Sequence, residues 1–222
     1  MNRKTKHWIY GIFCLAVIVL AVAPRLHAAH QQAQPTRQAA AVKPVKHAKS
    51  TADKTDSEVA SSHMRTPINW RKPSETVPYP DVNKVKDLWV KVDLKKNRTY
   101  LYDGSKLIYT MYSTGGVYKK DAKTGKMKSA TPTGTFHVQQ ERGDSFYNAG
   151  LQEGANYYTS WLNHGEYLFH SVPTKADGSY NQKEAAKLGK TQGSHGCIRL
   201  SVPDARWMEQ NLPVGTKVEI VG

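Results

Sequence analysis

Apolar and polar positions alternate with a period of two through LWVKVDL at 88–94, the rhythm of a strand with one buried face. RTYLYDGSKLIYTMY at 98–112 predicts two further strands around a tight turn at Asp103-Gly104. Gly115-Gly116 ends the second of these, and the lysine-rich stretch 117–130 is expected to be an exposed loop. A Pro-x-Gly turn in TPTGTFHVQ at 131–139 leads into a strand at Phe136 to Val138. YYTSWL at 157–162 and GEYLFHSV at 165–172 predict two more strands. QKEAAKL at 182–188 reads as a short helix closed by Gly189. Ser201 and Asp204 have the spacing of a capping box, opening a second short helix over PDARWMEQNL. GTKVEIV at 215–221 is a final strand. The expectation is a mostly β domain with two short helices over 87–222.

Before Leu88 this rhythm is lost. Residues 1–29 have a basic start at Arg3, Lys4 and Lys6, an apolar run from Trp8 to Pro24, and small residues at Ala28 and Ala29. That is the layout of a secretory signal, though the run is also long enough for a membrane anchor. Either way the remainder is expected to be exported. Residues 30–64 are rich in Ala, Gln, Lys, Ser and Thr and lack aromatic residues, as a disordered basic linker would. Residues 65–86 hold Trp70, Tyr79 and four prolines, which suggests an extended segment docked on the domain.

The formal net charge is +14 over 222 residues. Residues 1–85 hold 13 basic and 5 acidic side chains, and residues 86–222 hold 19 and 13. A basic exported protein suits an anionic wall polymer or a membrane surface, and nucleic acid is not an expected partner outside the cell.

Only two cysteines occur, Cys14 in the apolar run and Cys197 in GSHGCIRL at 193–200. A single unpaired thiol in an exported domain is a candidate nucleophile. A histidine nearby can generate the thiolate, and both His170, at the end of YLFH, and His195 qualify. An extended Gly196 to Arg199 would point Cys197, Arg199 and His195 to one face. Gly196 would let a substrate carbonyl approach the backbone, and N–H groups near Cys197 would hold an oxyanion. Arg199 would offer a fork to a substrate carboxylate. Tyr158, Trp161 and Tyr167 are candidates to line a groove, or core residues. His164, His170, His195 and Cys197 lack the paired spacing of a zinc site, so no metal and no cofactor is expected.

SHGCIRL at 194–200, the upstream histidine in LFHSV, STGG at 113–116 and TPTGTF at 131–136 together resemble the L,D-transpeptidase (YkuD-type) family. The resemblance spans essentially the whole globular part. It implies a β-sandwich-like catalytic domain that cross-links the stem peptides of peptidoglycan. The family attacks a donor tetrapeptide after its third residue, releases D-alanine, and passes the acyl group to an acceptor amine. By that resemblance Cys197 is the nucleophile and His170 the general base, with Ser171 helping to orient it. His195 and Gly196 would shape the oxyanion pocket, and Arg199 would engage the donor stem. Two departures stand out. Ser171-Val172 replaces the frequent Gly-Thr, and residues 174–190 look like an insertion that would cover the site.

Other readings use the same residues. With water in place of the amine, the domain is an L,D-carboxypeptidase. A sortase-like enzyme would carry its arginine well beyond the cysteine, and a papain-like peptidase would carry its cysteine before its histidine. A non-catalytic wall-binding module would have lost the thiol or the base, and both are present.

Overall fold

The computed structural model describes residues 63–222. The expected signal or anchor at 1–29, and all but the last two residues of the expected linker at 30–64, lie outside the described residues. Eleven strands form: β1 (Leu88–Asp93), β2 (Arg98–Asp103), β3 (Lys106–Thr114), β4 (Tyr118–Lys120), β5 (Met127–Ser129), β6 (Gly134–His137), β7 (Arg142–Asn148), β8 (Glu153–Leu162), β9 (Tyr167–Ser171), β10 (Ile198–Leu200) and β11 (Lys217–Val221). Two helices, α1 (Gln182–Ala185) and α2 (Val202–Asn211), complete the fold.

Nine strands make one sheet in the order β6-β11-β1-β2-β3-β10-β9-β8-β7. β1 runs parallel to β11 and β10 parallel to β9, and the other pairs are antiparallel. The sandwich arises because this sheet curls until its ends meet. Phe136 on β6 packs against Trp161 on β8 with ring centroids 5.0 Å apart. The Gln139 N–H donates to the Ser160 carbonyl at 2.8 Å, and the Ser160 N–H to that of Glu141 at 2.8 Å. Val90, Val92, Leu101, Met111, Phe169, Ile198, Val218 and Ile220 face the interior, which α2 fills with Ala205, Trp207 and Met208. The alternation read from the sequence is the alternation of burial along β1, β2 and β11.

One local expectation changes, and one strand, β7, was not expected. The lysine-rich stretch 117–130 contains a hairpin, β4 with β5. Its turn is closed by the Asp121 carboxylate, which accepts from the Lys123 and Thr124 N–H groups at 3.0 and 2.8 Å. β7 carries no predictive alternation because it is an edge strand without a fully buried position.

Residues 63–86 have little regular structure beyond a 3-10 turn at Val82–Lys84 and an isolated bridge between Met64 and Glu75. They nevertheless complete the sheet. β10 pairs only with Ser113 and Thr114 of β3, which leaves most of that β3 edge open. Glu75 Oε1 accepts the Thr110 N–H at 2.7 Å, and Ser74 Oγ accepts the Tyr112 N–H at 2.8 Å. Side chains thus replace a strand and cover an edge that would otherwise offer itself for pairing.

The segment is held from below by Asp204, which is fully buried. Asp204 Oδ1 accepts from the Ser74 N–H at 3.2 Å and the Tyr79 hydroxyl at 2.6 Å, and Oδ2 accepts from the Ser74 hydroxyl at 2.5 Å. Only half of the expected capping box forms. Ser201 Oγ accepts the Asp204 N–H at 3.2 Å, while the carboxylate turns to the N-terminal segment. Burial raises the Asp204 pKa against the pull of these donors. Hydrogen bonds to a charged group contribute about 1.5–3 kcal/mol each, and deleting the acceptor strands buried donors. Asp204→Ala is therefore expected to lower the unfolding free energy by about 3 kcal/mol, measured by denaturant titration of the full chain.

Candidate active site

Cys197 is half-buried at the end of a loop that enters β10. That loop is pinned from both sides. Ser194 Oγ donates to the Cys197 carbonyl at 2.5 Å and accepts the Gly196 N–H at 3.1 Å. Thr131 Oγ1 donates to the Gly196 carbonyl at 2.8 Å and accepts the Gly116 N–H at 2.8 Å. The Gly193 and Ser194 N–H groups both donate to the Gly115 carbonyl at 3.0 Å. Three blocks far apart in the chain, at 113–116, 131–136 and 194–197, thus converge on the thiol. Gly196 has φ +148, and a Cβ there would lie 2.7 Å from the Tyr167 ring, so no side chain fits. Its N–H, one candidate oxyanion donor, is already given to Ser194.

His170 sits on β9, in register with Arg199 on the parallel β10. Its ring is 3% exposed and meets Phe146 edge-on at 5.5 Å. Nδ1 lies 2.6 Å from the Ser171 carbonyl oxygen. A carbonyl only accepts, so Nδ1 carries the proton and Nε2 the lone pair. Burial, then the Arg199 charge, pushes the His170 pKa down to about 3, with the Ser171 carbonyl opposing. Burial pushes the Cys197 thiol up to about 11, opposed by a backbone hydrogen bond from Leu168 and by the Arg199 charge. The thiol points at the Glu166 carbonyl, 3.7 Å away. At neutral pH the resting pair is a neutral thiol and a neutral imidazole.

Cys197, His170, His195 and Gly196 share a cleft of about 580 Å³, a size suited to a small ligand or peptide. Tyr158 and Tyr167 line it, whereas Trp161 is 1% exposed and belongs to the core. His195 is exposed at the cleft. Glu141, Glu153 and Glu166 also line it, and no lysine or arginine does. His164 Nδ1 pairs with Glu141 Oε1 at 2.9 Å. No group of three or more His, Cys, Asp or Glu that could hold a metal occurs among the described residues.

The model of the L,D-transpeptidase catalytic domain (YkuD) matches residues 87–220. The chain belongs to that family. A Bacillus subtilis (strain 168) protein named "Putative L,D-transpeptidase YciB" is 49% identical over 157 residues, covering 70% of this chain and 76% of the relative. Among solved structures, a fused Zn-dependent amidase/peptidase/peptidoglycan-binding domain-containing protein of Clostridium acetobutylicum is 25% identical. That match covers 77% of this chain and 61% of the other, with a TM-score of 0.45. An L,D-transpeptidase of Mycobacterium tuberculosis is 17% identical, covering 61% of this chain and 58% of the other, with a TM-score of 0.45. The chain thus spans about three-fifths of these solved chains.

Two residue-level expectations for this L,D-transpeptidase domain change, those for Arg199 and for the 174–190 stretch, while Ser171 keeps its place against the His170 ring. Ser171 orients His170 through its carbonyl, while its hydroxyl donates to the Val172 carbonyl and accepts the Asn156 N–H. Arg199 does not present a fork to the cleft. It is 1% exposed, and both of its terminal nitrogens are engaged by carboxylates, while Nε is buried without a partner among the described residues. Nη2 contacts both oxygens of Glu153 at 2.7 and 2.8 Å, and Nη1 contacts Glu184 at 2.8 Å. The 174–190 stretch contributes no residue to the lining of the cleft. Ala185 and Leu188 join Tyr112 and Val172 in a second apolar cluster, against which Tyr180 and the N-terminal residues Ile68 and Trp70 pack. Glu184 on α1 then reaches Arg199 from this cluster.

Glu153, Glu184 and Thr131 had no role in the reading of the sequence. Glu153 stands 46 residues from Arg199, and no local pattern couples them. Thr131 lies in a block already singled out, and its place between two glycines of other blocks was the available signal.

Two outcomes are expected. A raised thiol pKa leaves less thiolate at pH 7 than an ordinary cysteine has. Alkylation of Cys197 by iodoacetamide should therefore be slow at pH 7 and climb steadily with pH toward about 11, without a plateau near pH 6. Mass spectrometry of the labelled chain reads this directly. Arg199→Met should cost about 3 kcal/mol of stability, because it leaves Glu153 without its ion-pair partner and Glu184 with Lys187 alone, and thermal or denaturant unfolding measures it.

Proposed function

We propose that this chain is a cysteine-dependent L,D-transpeptidase that cross-links the stem peptides of peptidoglycan through a thioester. The observation that carries this reading is the shared cleft: Cys197 and a proton-accepting His170 line one cavity. Family membership supports the reaction class.

In the first step Cys197 Sγ attacks the carbonyl between the third residue of a donor tetrapeptide and its terminal D-alanine. His170 Nε2 takes the thiol proton as the C–S bond forms. Because both groups rest neutral, this transfer belongs to the reaction itself and not to a standing ion pair. The Cys197 N–H holds the oxyanion, since the Gly196 N–H is occupied. The intermediate collapses, the C–N bond breaks, and His170 returns the proton to the leaving D-alanine amine. In the second step the amine of an acceptor stem attacks the thioester, loses a proton to His170, and releases the thiol. The absence of cationic side chains from the lining favours entry of an amine over exclusion of it. His195, exposed beside the thiol, shapes the entrance. The layout of residues 1–29 supports an exported protein acting at the wall.

The test incubates the full chain with a disaccharide-tetrapeptide and follows products by mass spectrometry. Free D-alanine, a thioester on Cys197 and cross-linked dimer are the expected products. Tripeptide without dimer would reassign the chain as an L,D-carboxypeptidase. Cys197→Ala should abolish D-alanine release, and turnover retained in that variant would sink the mechanism. His170→Ala should slow acylation at least a hundredfold, far more than His195→Ala; the reverse order would move the base to His195.

A further inference from the structure

A second groove, of about 430 Å³, lies between the N-terminal segment and α2. It is lined by Arg71 and Tyr79 on one side and Val202, Arg206, Trp207 and Gln210 on the other. Val202, Arg206 and Gln210 follow one another at four-residue steps and so share one face of α2. Its aromatic floor is rigid. Tyr79 and Trp207 stack with centroids 5.5 Å apart and planes at 15°, and Tyr79 is fixed by its bond to buried Asp204.

The two arginines are held in an unusual way. Arg71 lies over the Trp70 ring, its Cζ 3.7 Å from the centroid. Arg206 lies over Tyr157 at 4.5 Å and donates to that hydroxyl. Both are exposed, and neither forms an ion pair among the described residues. Asp144 acts on Arg206 through space without contacting it. A guanidinium seated over a ring without an ion-pair partner keeps donors for a ligand, and its planar fork matches a phosphate.

We infer that this groove binds a linear wall polymer of phosphodiester-linked polyol units, holding the domain on its substrate matrix. The arginines take successive phosphates, and the polyol units lie along the exposed edge of Tyr79 between them. A membrane fits less well, because the exposed large hydrophobic residues Met127, Tyr147, Leu151 and Val214 all lie outside the groove. The inference rests on the reading that the chain works at the wall, and its test is independent of turnover.

The test titrates a glycerol phosphate hexamer into the full chain by calorimetry at 50 and 200 mM salt. The comparison variants are R71Q/R206Q and, as a charge-matched control in the β4–β5 hairpin, K119Q/K128Q. R71Q/R206Q should weaken binding at least tenfold and flatten the salt slope by about 1–2 units. K119Q/K128Q should stay within twofold of the parent chain, and release of D-alanine from soluble tetrapeptide should be unchanged in both. Equal weakening by both variants would show diffuse charge attraction and overturn the groove. So would an unaffected R71Q/R206Q. Arginine-dependent binding of anionic lipid vesicles, with no binding of the hexamer, would assign the surface to a membrane instead. Loss of turnover in the parent chain with hexamer binding intact would refute the catalytic reading and leave this one standing.

Discussion

The buried guanidinium of Arg199 is the constraint on which the catalytic half of the molecule depends. A charge that is 1% exposed is costly unless paired, and Arg199 is paired twice. Each pair ties a different element to β10. Glu153 belongs to β8 and to the lining of the cleft, and Glu184 belongs to α1. Strand, cleft and the 174–190 stretch are therefore one electrostatic unit. The same charge bears on both reacting groups, holding the imidazole down and the thiol lower than burial alone would set it.

Around that charge the loop at 194–197 is built for fixed geometry. The Gly196 and Cys197 carbonyls and the Ser194 and Gly196 N–H groups are held by Thr131, Ser194 and the Gly115 carbonyl, so the thiol is presented by a loop with little freedom. Burial keeps the thiol protonated at rest, and the Ser171 carbonyl leaves Nε2 as the accepting nitrogen of His170.

The N-terminal segment is as much a part of this domain as any strand, although the family match begins at residue 87. It covers the β3 edge with Ser74 and Glu75, shares an apolar cluster with the 174–190 stretch, and frames the arginine groove with α2. The charge distribution follows the same division. Among the described residues, the cleft is lined by carboxylates without lysine or arginine, while the groove across α2 carries two guanidiniums without an ion pair, on a chain of net charge +14.

Much of this was legible in the linear chain. Alternation located β1, β2 and β11, because burial on one face of a strand leaves a period of two in any sequence that folds so. The lone thiol, two histidines and three glycine-bearing blocks located the cleft and the family. Tertiary structure alone decided the partners. Arg199 met Glu153 and Glu184 where a substrate carboxylate was expected, and Asp204 left its own helix cap for Ser74 and Tyr79. The 174–190 stretch packed beside β10 and not over the thiol. The physical reason is common to all three. Each outcome is set by contacts between residues distant in sequence, and a charge or an apolar side chain declares that it needs a partner without declaring which one topology will bring.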